Sequence, residues 1–290
     1  MKAAIIDGKS IAGSINEKNR ERVLAFFNSF GRYPKLAVII VGEDPASQIY
    51  VRNKERACGR INMESEVIRF PEDTPQCDVE SCIEELNRDP HVDGILVQLP
   101  LPGSFDEKRI MSRISPEKDV DGFHVYNLGG LISGQEGFVP CTPKGIMRLI
   151  HEMNVSLDGK HAVVIGRSTI VGKPVAQLLL RENCTVTTCH SHTKDLESFV
   201  RQADILVVSI GRTEFVKGSW IKEGAIVIDV GINRTENGLK GDVEFESAAE
   251  HAAYITPVPG GVGPMTIAML LDNTLAGAIA HETKHNCNCN

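Results

Sequence analysis

The sequence predicts an α/β protein of two domains, each built on a mostly parallel sheet. Three observations carry that prediction. The chain is 290 residues long, about twice the usual domain length. Short apolar runs of strand length alternate with segments of helical period in both halves, the pattern of a parallel sheet covered by helices. Between the halves, residues 121–143 are rich in Gly and Pro and show no clear period, which marks a domain junction.

In the first half, Ser10 is expected to cap a helix from Ile11, with Ile15, Val23, Leu24 and Phe27 apolar and a stop at Gly31. Leu36 to Val41 suits a buried strand. Asp44-Pro45 reads as an N-cap followed by proline at the first helical position, opening a helix to about Arg60. Glu66 to Phe70 is a short strand, and Thr74-Pro75 repeats the cap-and-proline signal ahead of a helix with Val79, Cys82, Ile83 and Leu86 on one face. Gly94 to Gln98 is the next strand, ending at Leu99-Pro100-Leu101-Pro102. After the junction, Thr142-Pro143 starts a helix to about Met153. Strands follow at His161–Ile165, Thr185–Cys189, Ile205–Ile210, Ala225–Val230 and Tyr254–Thr256, with helices from Gly172 and through Leu196 to Gln202. A last helix, Met265 to about Ala280, is apolar on most sides and is expected to pack between domains or back on the first. The domains expected are 1–121, with the C-terminal helix of about 265–285 packed on it, and 122–264, with a flexible tail at 286–290 and a cleft between the two domains.

Composition excludes several classes. Hydrophobic residues are 42% and charged residues 24%, the proportions of a soluble globular chain and not of a disordered one. Lys plus Arg is 31 against 38 for Asp plus Glu, a net charge of −7, which argues against a nucleic-acid partner. No segment approaches the roughly 18 uncharged apolar residues of a membrane span. The apolar stretch at the N-terminus is too short for a signal peptide and carries Asp7. Eight cysteines without a secretion signal read as reduced thiols, so the cytoplasm is the default location.

His161 to Pro174 places Gly166 and Gly172 between a buried strand and a helix start. A dinucleotide pyrophosphate sits at such a turn, facing backbone N–H groups and the helix dipole. The usual G-x-G-x-x-G spacing is absent, so the loop alone fits either a cofactor site or a plain tight turn. An NAD site carries an acidic residue about 20 positions on. Here the strand end reads Thr187 to Thr193 with no carboxylate, and Arg167, Ser191 and a histidine, His190 or His192, are placed to receive a 2′-phosphate, which favours NADP. At least one of those histidines is expected to be an exposed loop residue. Asp229 to Asn233 ends a later strand, where ligands of open α/β sheets also gather.

Tyr50 and Lys54 lie four apart and share a helix face. A lysine acts as a base only when burial or a neighbouring cation lowers its pKa. The bland reading is a surface lysine beside an amphipathic tyrosine. The same pair occurs in short-chain dehydrogenases, but there the glycine loop precedes it, whereas here it follows. Gln98 stands at the carboxyl end of a predicted strand, and one of Asp119 and Asp121 is placed to grip a donor-rich heterocycle; for Asp119 a cap or turn role is preferred.

Taken together the motifs resemble one family: Val41 to Ser47 with Tyr50 to Lys54, Gln98 to Pro102, Asp119 to Gly122, Pro140 to Pro143, Gly166 to Ser168 with Val171 to Pro174, and Pro257 to Thr266. The chain is similar from about Ile5 to Leu275 to the bifunctional methylenetetrahydrofolate dehydrogenase/methenyltetrahydrofolate cyclohydrolases. The resemblance implies a second domain of Rossmann-like, dinucleotide-binding form. It implies NADP-dependent oxidation of 5,10-methylenetetrahydrofolate, hydrolysis of the methenyl product to 10-formyltetrahydrofolate, and a place in one-carbon metabolism and the biosynthesis it feeds. It implies Lys54, Tyr50, Gln98 and Asp121 as catalytic residues, which with Leu99, Pro259, Gly260 and Gly261 would also meet the folate. It implies Gly166, Arg167, Ser168, Ser191 and Ile232 at the NADP site. The family includes dehydrogenase-only and NAD-using members, so a monofunctional dehydrogenase stays as an alternative, as does a non-catalytic NADP-binding regulator. A homodimer is implied by analogy. No metal is expected: His285 with Cys287 and Cys289 offers too few ligands for a closed site, and Cys58, Cys77, Cys82 and Cys141 read as packing residues.

Overall fold

A computed structural model describes residues 2–236 and 238–288, with side chains described to residue 284. In chain order the elements are β1 (Ala4–Ile5), α1 (Gly8–Phe30), β2 (Lys35–Val41), α2 (Pro45–Arg60), β3 (Glu64–Phe70), α3 (Gln76–Arg88), β4 (Gly94–Val97), α4 (Glu107–Arg113) and α5 (Val125–Ser133). There follow α6 (Cys141–His151), β5 (His161–Ile165), α7 (Gly172–Arg181), β6 (Thr185–Cys189), α8 (Leu196–Val200), β7 (Ile205–Val208) and β8 (Ile226–Asp229). The hairpin β9 (Asn233–Thr235) and β10 (Gly238–Lys240), α9 (Phe245–His251), β11 (Tyr254–Ile255) and α10 (Val262–Asn288) complete the chain. It divides into two compact units, residues 14–141 with 267–290, and residues 1–13 with 142–266.

The first unit holds a three-stranded parallel sheet in the order β3-β2-β4. Central β2 is covered on both faces, so Leu36 to Val41 are all buried and the strand reads as an unbroken apolar run. Ala37, Ile39 and Val41 meet Val79, Ile83 and Leu86 of α3 and Ile110 of α4 in one core. Asp44 caps α2 as expected, accepting the Ser47 amide at 2.7 Å.

The second unit holds a six-stranded parallel sheet in the order β1-β11-β8-β7-β5-β6. Its central strands β5, β7 and β8 are fully apolar except at their ends. β1 was not expected as a strand: two residues pair with β11, too short a run to carry a periodic signal.

Several expected boundaries change. Asp7, not Ser10, plays the capping part for α1, its carboxylate accepting the Ser10 amide at 2.9 Å. Thr74 is not the cap of α3: Pro75 is its N-cap and makes no side-chain cap bond. The Gly/Pro-rich stretch 121–143 contains α5, capped by His124 Nδ1 accepting the Tyr126 amide at 3.1 Å and closed by Gly134 in the left-handed region (φ 75°). Nine residues make only two and a half turns, too few for a clear period. α10 is longer than expected, and its Val262–Lys284 portion is long and apolar enough by length and composition to cross a membrane. The expectation that no segment approaches that requirement is therefore corrected. Most of that portion is buried inside the protein, with Leu270, Leu271, Leu275 and Ala278 in the core, and buried core helices share the composition of membrane spans.

Candidate active site

In the three-stranded unit, α2 turns Ser47, Val51 and Cys58 inward, a stripe at helical spacing. That registration leaves Tyr50 41% exposed and Lys54 half-buried. Lys54 Nζ donates to Gln98 Oε1 at 3.0 Å. Gln98 follows β4 directly; its backbone amide donates to Ile39 O at 2.8 Å, and its Nε2 donates to Leu99 O at 2.7 Å. The side-chain amide is thereby oriented, with its N–H spent on the backbone and its carbonyl left for the lysine. The Leu99-Pro100 peptide is cis.

The two aspartates of 119–121 part company. Asp119 is fully buried and its carboxylate accepts the His124 amide (2.7 Å) and Asn127 Nδ2 (2.8 Å), holding the entry to α5. Burial pushes its carboxyl up to about 6 against those hydrogen bonds. The turn role preferred for it is the one observed. Asp121 is the aspartate within electrostatic reach of Lys54. Burial raises its pKa, while the Lys54 charge and a hydrogen bond from the Cys141 thiol oppose the rise. Gly122 has φ 76°, and a Cβ there would lie 2.7 Å from Pro140 N, so the chain can turn after Asp121 only with glycine. Asn273 on α10, which the sequence reading passed over, donates to Val120 O (2.9 Å) and Val139 O (3.1 Å) and so clamps the segment on both sides of Asp121. Its acceptors lie 153 and 134 residues away in sequence, so no local signal marks it.

In the six-stranded unit, Gly166 (φ 129°) ends β5 and Gly172 opens α7. A Cβ on Gly166 would lie 2.6 Å from Ser209 O, and one on Gly172 would overlap Gly166 O. The strand-to-helix turn is thus packed backbone on backbone, which leaves its outer face open to a ligand. The free donors differ from the expectation. Ser168 Oγ accepts the amides of Val171 (3.1 Å) and Gly172 (3.2 Å), and Ser168 O accepts that of Lys173 (3.0 Å). Those first amides of α7 are taken, and the Ser168 hydroxyl keeps its own proton to donate outward. Arg167 is exposed, with no side-chain partner among the described residues, and Ser191 is exposed beyond β6. His190 Nδ1 accepts the His192 amide at 3.2 Å, a turn role, while His192 is exposed. An open glycine turn, a free guanidinium and the lack of a carboxylate after β6 fit a dinucleotide carrying a 2′-phosphate.

Ile232, 46% exposed, follows β8. Beyond β11, Val258-Pro259 is cis, Gly260 has φ 106°, and Gly260 O accepts the Lys9 amide at 3.0 Å. A Cβ on Gly8 would overlap Gly261 O, so the start of α1 and this loop are packed main chain to main chain. Among the described residues no group of three or more His, Cys, Asp or Glu could hold a metal ion. The tail readings fall on the side chains of 285–288 and on residues 289–290, which lie outside the described residues.

Two family models match the chain. Residues 6–121 match the model of the tetrahydrofolate dehydrogenase/cyclohydrolase catalytic domain, and residues 140–282 match that of the corresponding NAD(P)-binding domain. The bifunctional protein FolD of Moorella thermoacetica is 55% identical over 279 residues, 96% of this chain and 99% of that protein. The crystal structure of the bifunctional FolD methylenetetrahydrofolate dehydrogenase/cyclohydrolase from Campylobacter jejuni superposes with a TM-score of 0.94 at 47% identity, over 96% of this chain and 99% of that one. The Trypanosoma brucei methylenetetrahydrofolate dehydrogenase-cyclohydrolase, solved with NADP and an inhibitor, gives a TM-score of 0.93 at 41% identity, over 97% of this chain and 98% of that one. The chain belongs to the tetrahydrofolate dehydrogenase/cyclohydrolase family.

Proposed function

We propose that the two units divide the ligands between them: folate chiefly on the side chains of the three-stranded unit, NADP on the loops of the six-stranded one. The protein is a bifunctional enzyme, oxidising 5,10-methylenetetrahydrofolate with NADP and hydrolysing the 5,10-methenyl product to 10-formyltetrahydrofolate. What supports the residue roles is above all the hydrogen bond that sets Lys54 Nζ 3.0 Å from the oriented amide of Gln98.

NADP, when bound, accepts the hydride. The chain's part in that step is alignment, because hydride transfer asks chiefly that the two reacting carbons meet in the right geometry. Asp121 anchors the donor edge of the pterin, and Tyr50 lies over the ring system. Pro259, Gly260 and Gly261 border the folate and the nicotinamide, with Leu99 beside the folate. Gly166, Arg167, Ser168, Ser191 and Ile232 hold the cofactor, Arg167 and Ser191 meeting its 2′-phosphate.

Loss of hydride leaves a cationic methenyl carbon between two folate nitrogens. In the hydrolysis, Lys54 takes a proton from water as the water oxygen bonds to that carbon. The tetrahedral adduct then breaks its bond to one ring nitrogen, which takes the proton back from Lys54, while the hydroxyl proton of the adduct passes to solvent as the carbonyl forms and leaves the formyl group on the other nitrogen. Gln98 gives the lysine an acceptor that adds no charge beside the cation.

A homodimer is proposed by likeness to the family alone. A cytoplasmic setting is proposed from the reduced-thiol reading, and Cys58, Cys77, Cys82, Cys141, Cys184 and Cys189 form no disulfide. Neither nucleic acid nor membrane is proposed as a partner.

The test follows NADPH, methenyl and 10-formyl products separately, in the parent and in Lys54→Ala. The parent is expected to form NADPH and 10-formyl product faster than uncatalysed hydrolysis. Lys54→Ala is expected to lose the hydrolysis by about 10³-fold or more while still binding folate, the scale of removing a proton-transfer group. Full hydrolysis in Lys54→Ala would remove the lysine from the mechanism. Methenyl product decaying at the uncatalysed rate in the parent would leave a dehydrogenase only, and no reduction with NADP or NAD would leave a binding protein.

A further inference from the structure

We propose that Asp242 is a positioning residue for the dinucleotide: its buried carboxylate sets the backbone path of the two loops at the carboxyl ends of β7 and β8. The proposal rests on the reading of the six-stranded unit as the NADP site.

Asp242 lies two residues beyond β10 and is fully buried. Its Oδ2 accepts the amides of Ile210 (2.7 Å) and Gly211 (3.0 Å), and its Oδ1 accepts the amide of Arg212 (2.8 Å) and Nδ2 of Asn233 (2.9 Å). Three successive amides converging on one carboxylate is a concave backbone nest, formed here past the end of β7 where no strand is left to receive those N–H groups. Gly211 has φ 64°, the left-handed conformation that bends the chain so that its neighbours' amides point the same way.

Asp242 is itself held from the β8 side. Its amide donates to Asp229 Oδ1 at 2.9 Å, and its carbonyl accepts the Val216 amide at 3.0 Å. Gly231 has no room for a Cβ, which would strike the Asp242 carboxylate, and Gly241 has none either, because a Cβ there would strike that of Asp229. The two glycines let the exit of β8 and the return from the hairpin close on one carboxylate pair.

The loops so fixed are the ones a dinucleotide crosses. In a parallel sheet the cofactor lies along the carboxyl ends of the strands. Ser209, immediately before the three amides, packs against Gly166, and its amide donates to Ile165 O at 2.8 Å. Asn233, the fourth donor, immediately follows Ile232. Asp242 stands behind both loops, and its carboxylate accepts four donors. An asparagine in its place has one acceptor oxygen and two donors of its own, so at least one loop loses its hold.

The test is titration of NADPH fluorescence, with steady-state kinetics, on the full-length Asp242→Asn and Asn233→Ala proteins. Trp220 is the sole tryptophan and packs at the edge of this unit's core, so its emission reports whether the unit is folded. Asp242→Asn is expected to weaken NADPH binding about 10-fold and to raise the NADP KM by the same factor, with the folate KM within about two-fold of the parent. A variant with unchanged Trp220 emission and an NADPH dissociation constant within about two-fold of the parent overturns the proposal. If Asp242→Asn does not fold, Asn233→Ala decides. It removes one of the four donors, and a dissociation constant raised about three-fold with unchanged folate KM upholds the proposal, whereas an unchanged constant overturns it. Failure of the parent itself to bind NADPH overturns the reading of the unit as an NADP site, and is distinguished by appearing before any substitution.

Discussion

Asp93 and Asp229 are both buried carboxylates at core strands, one in each unit, and the chain accommodates them by opposite means. Asp93, just before β4, receives a bidentate guanidinium from Arg32 at 2.8 Å to each oxygen, the Lys35 amide at 2.9 Å and His281 Nδ1 at 3.4 Å. Arg32 also donates to Glu282 at 2.7 Å. Among the described residues, the Asp229 carboxylate at the end of β8 receives only main-chain amides, those of Gly231 (3.0 Å), Asp242 (2.9 Å) and Val243 (2.9 Å). An ion pair ties together elements far apart in sequence, here the end of α1, the start of β4 and the last turns of α10. A cluster of amides fixes the path of the backbone itself, which is what a ligand-binding loop needs. The same division runs through the sites: the three-stranded unit offers Lys54, Gln98, Tyr50 and Asp121 as side chains, and the six-stranded unit offers a shaped main chain around glycines.

The largest effect that would sharpen this contrast is loss of the Asp93 partner. Arg32→Met leaves a buried carboxylate without its guanidinium and is expected to cost about 3–5 kcal/mol of stability. Urea unfolding of parent and variant measures it. A loss under about 1 kcal/mol would mean that His281 and the Lys35 amide suffice, and the ion pair would no longer distinguish this unit from the other.

Next in size is the dependence on pH, which should have opposite signs at the two carboxylates. Burial pushes the Asp93 carboxyl up, but hydrogen bonds from Arg32, His281 and the Lys35 amide outweigh it and hold the group below the usual carboxylate range. Its contribution is therefore full above about pH 4 and is lost as the pH falls lower. Burial pushes the Asp229 carboxyl up to about 7 against its three amides, with the Asp242 charge adding to the rise. The folded state then holds more protons than the unfolded one between about pH 4 and pH 7, and stability falls as pH rises through that window, by up to about 4 kcal/mol. Urea midpoints followed by Trp220 emission isolate the six-stranded unit, and Asp229→Asn should flatten their slope between pH 4 and pH 7. An unchanged slope in that variant would assign the titration elsewhere.

The β2, α2 and β5 segments were legible because an apolar run or a cap-and-proline pair is a local signal, and Asp44 caps α2 as read. Tyr50, Lys54, Gln98 and Asp121 were singled out for their chemistry, and Lys54 does meet Gln98 across 44 residues of sequence. β1 was illegible because a two-residue strand exists only through its partner β11. Asp242 and Asn273 were illegible because their donors and acceptors come from distant segments, Ile210 to Arg212 in one case and Val120 and Val139 in the other. The capping role of Ser168 was hidden for a related reason: a hydroxyl next to a glycine turn can face the ligand or the helix, and only the backbone path decides.

The smallest effect expected is the one that bears most directly on whether the cofactor edge is made of main chain. Gly172→Ala adds one methyl, and that methyl would overlap Gly166 O and lie 2.8 Å from the Arg167 amide nitrogen in the next peptide. Neither neighbour is the end of a flexible side chain, so relief requires the β5–α7 turn itself to move. By itself alanine favours a helix over glycine by up to about 1 kcal/mol, so fraying of α7 would not account for a loss. The shift of the turn should displace Arg167 and Ser168 together and weaken NADPH binding about 30-fold, roughly 2 kcal/mol. The measurement is an NADPH titration with the Trp220 emission as a check on folding. Unaltered affinity in a folded Gly172→Ala protein would mean that the turn yields at no cost to the ligand. The cofactor edge would then depend on side chains such as Arg167 as much as the folate site depends on Lys54, and the contrast between the two units would fail where it matters for catalysis.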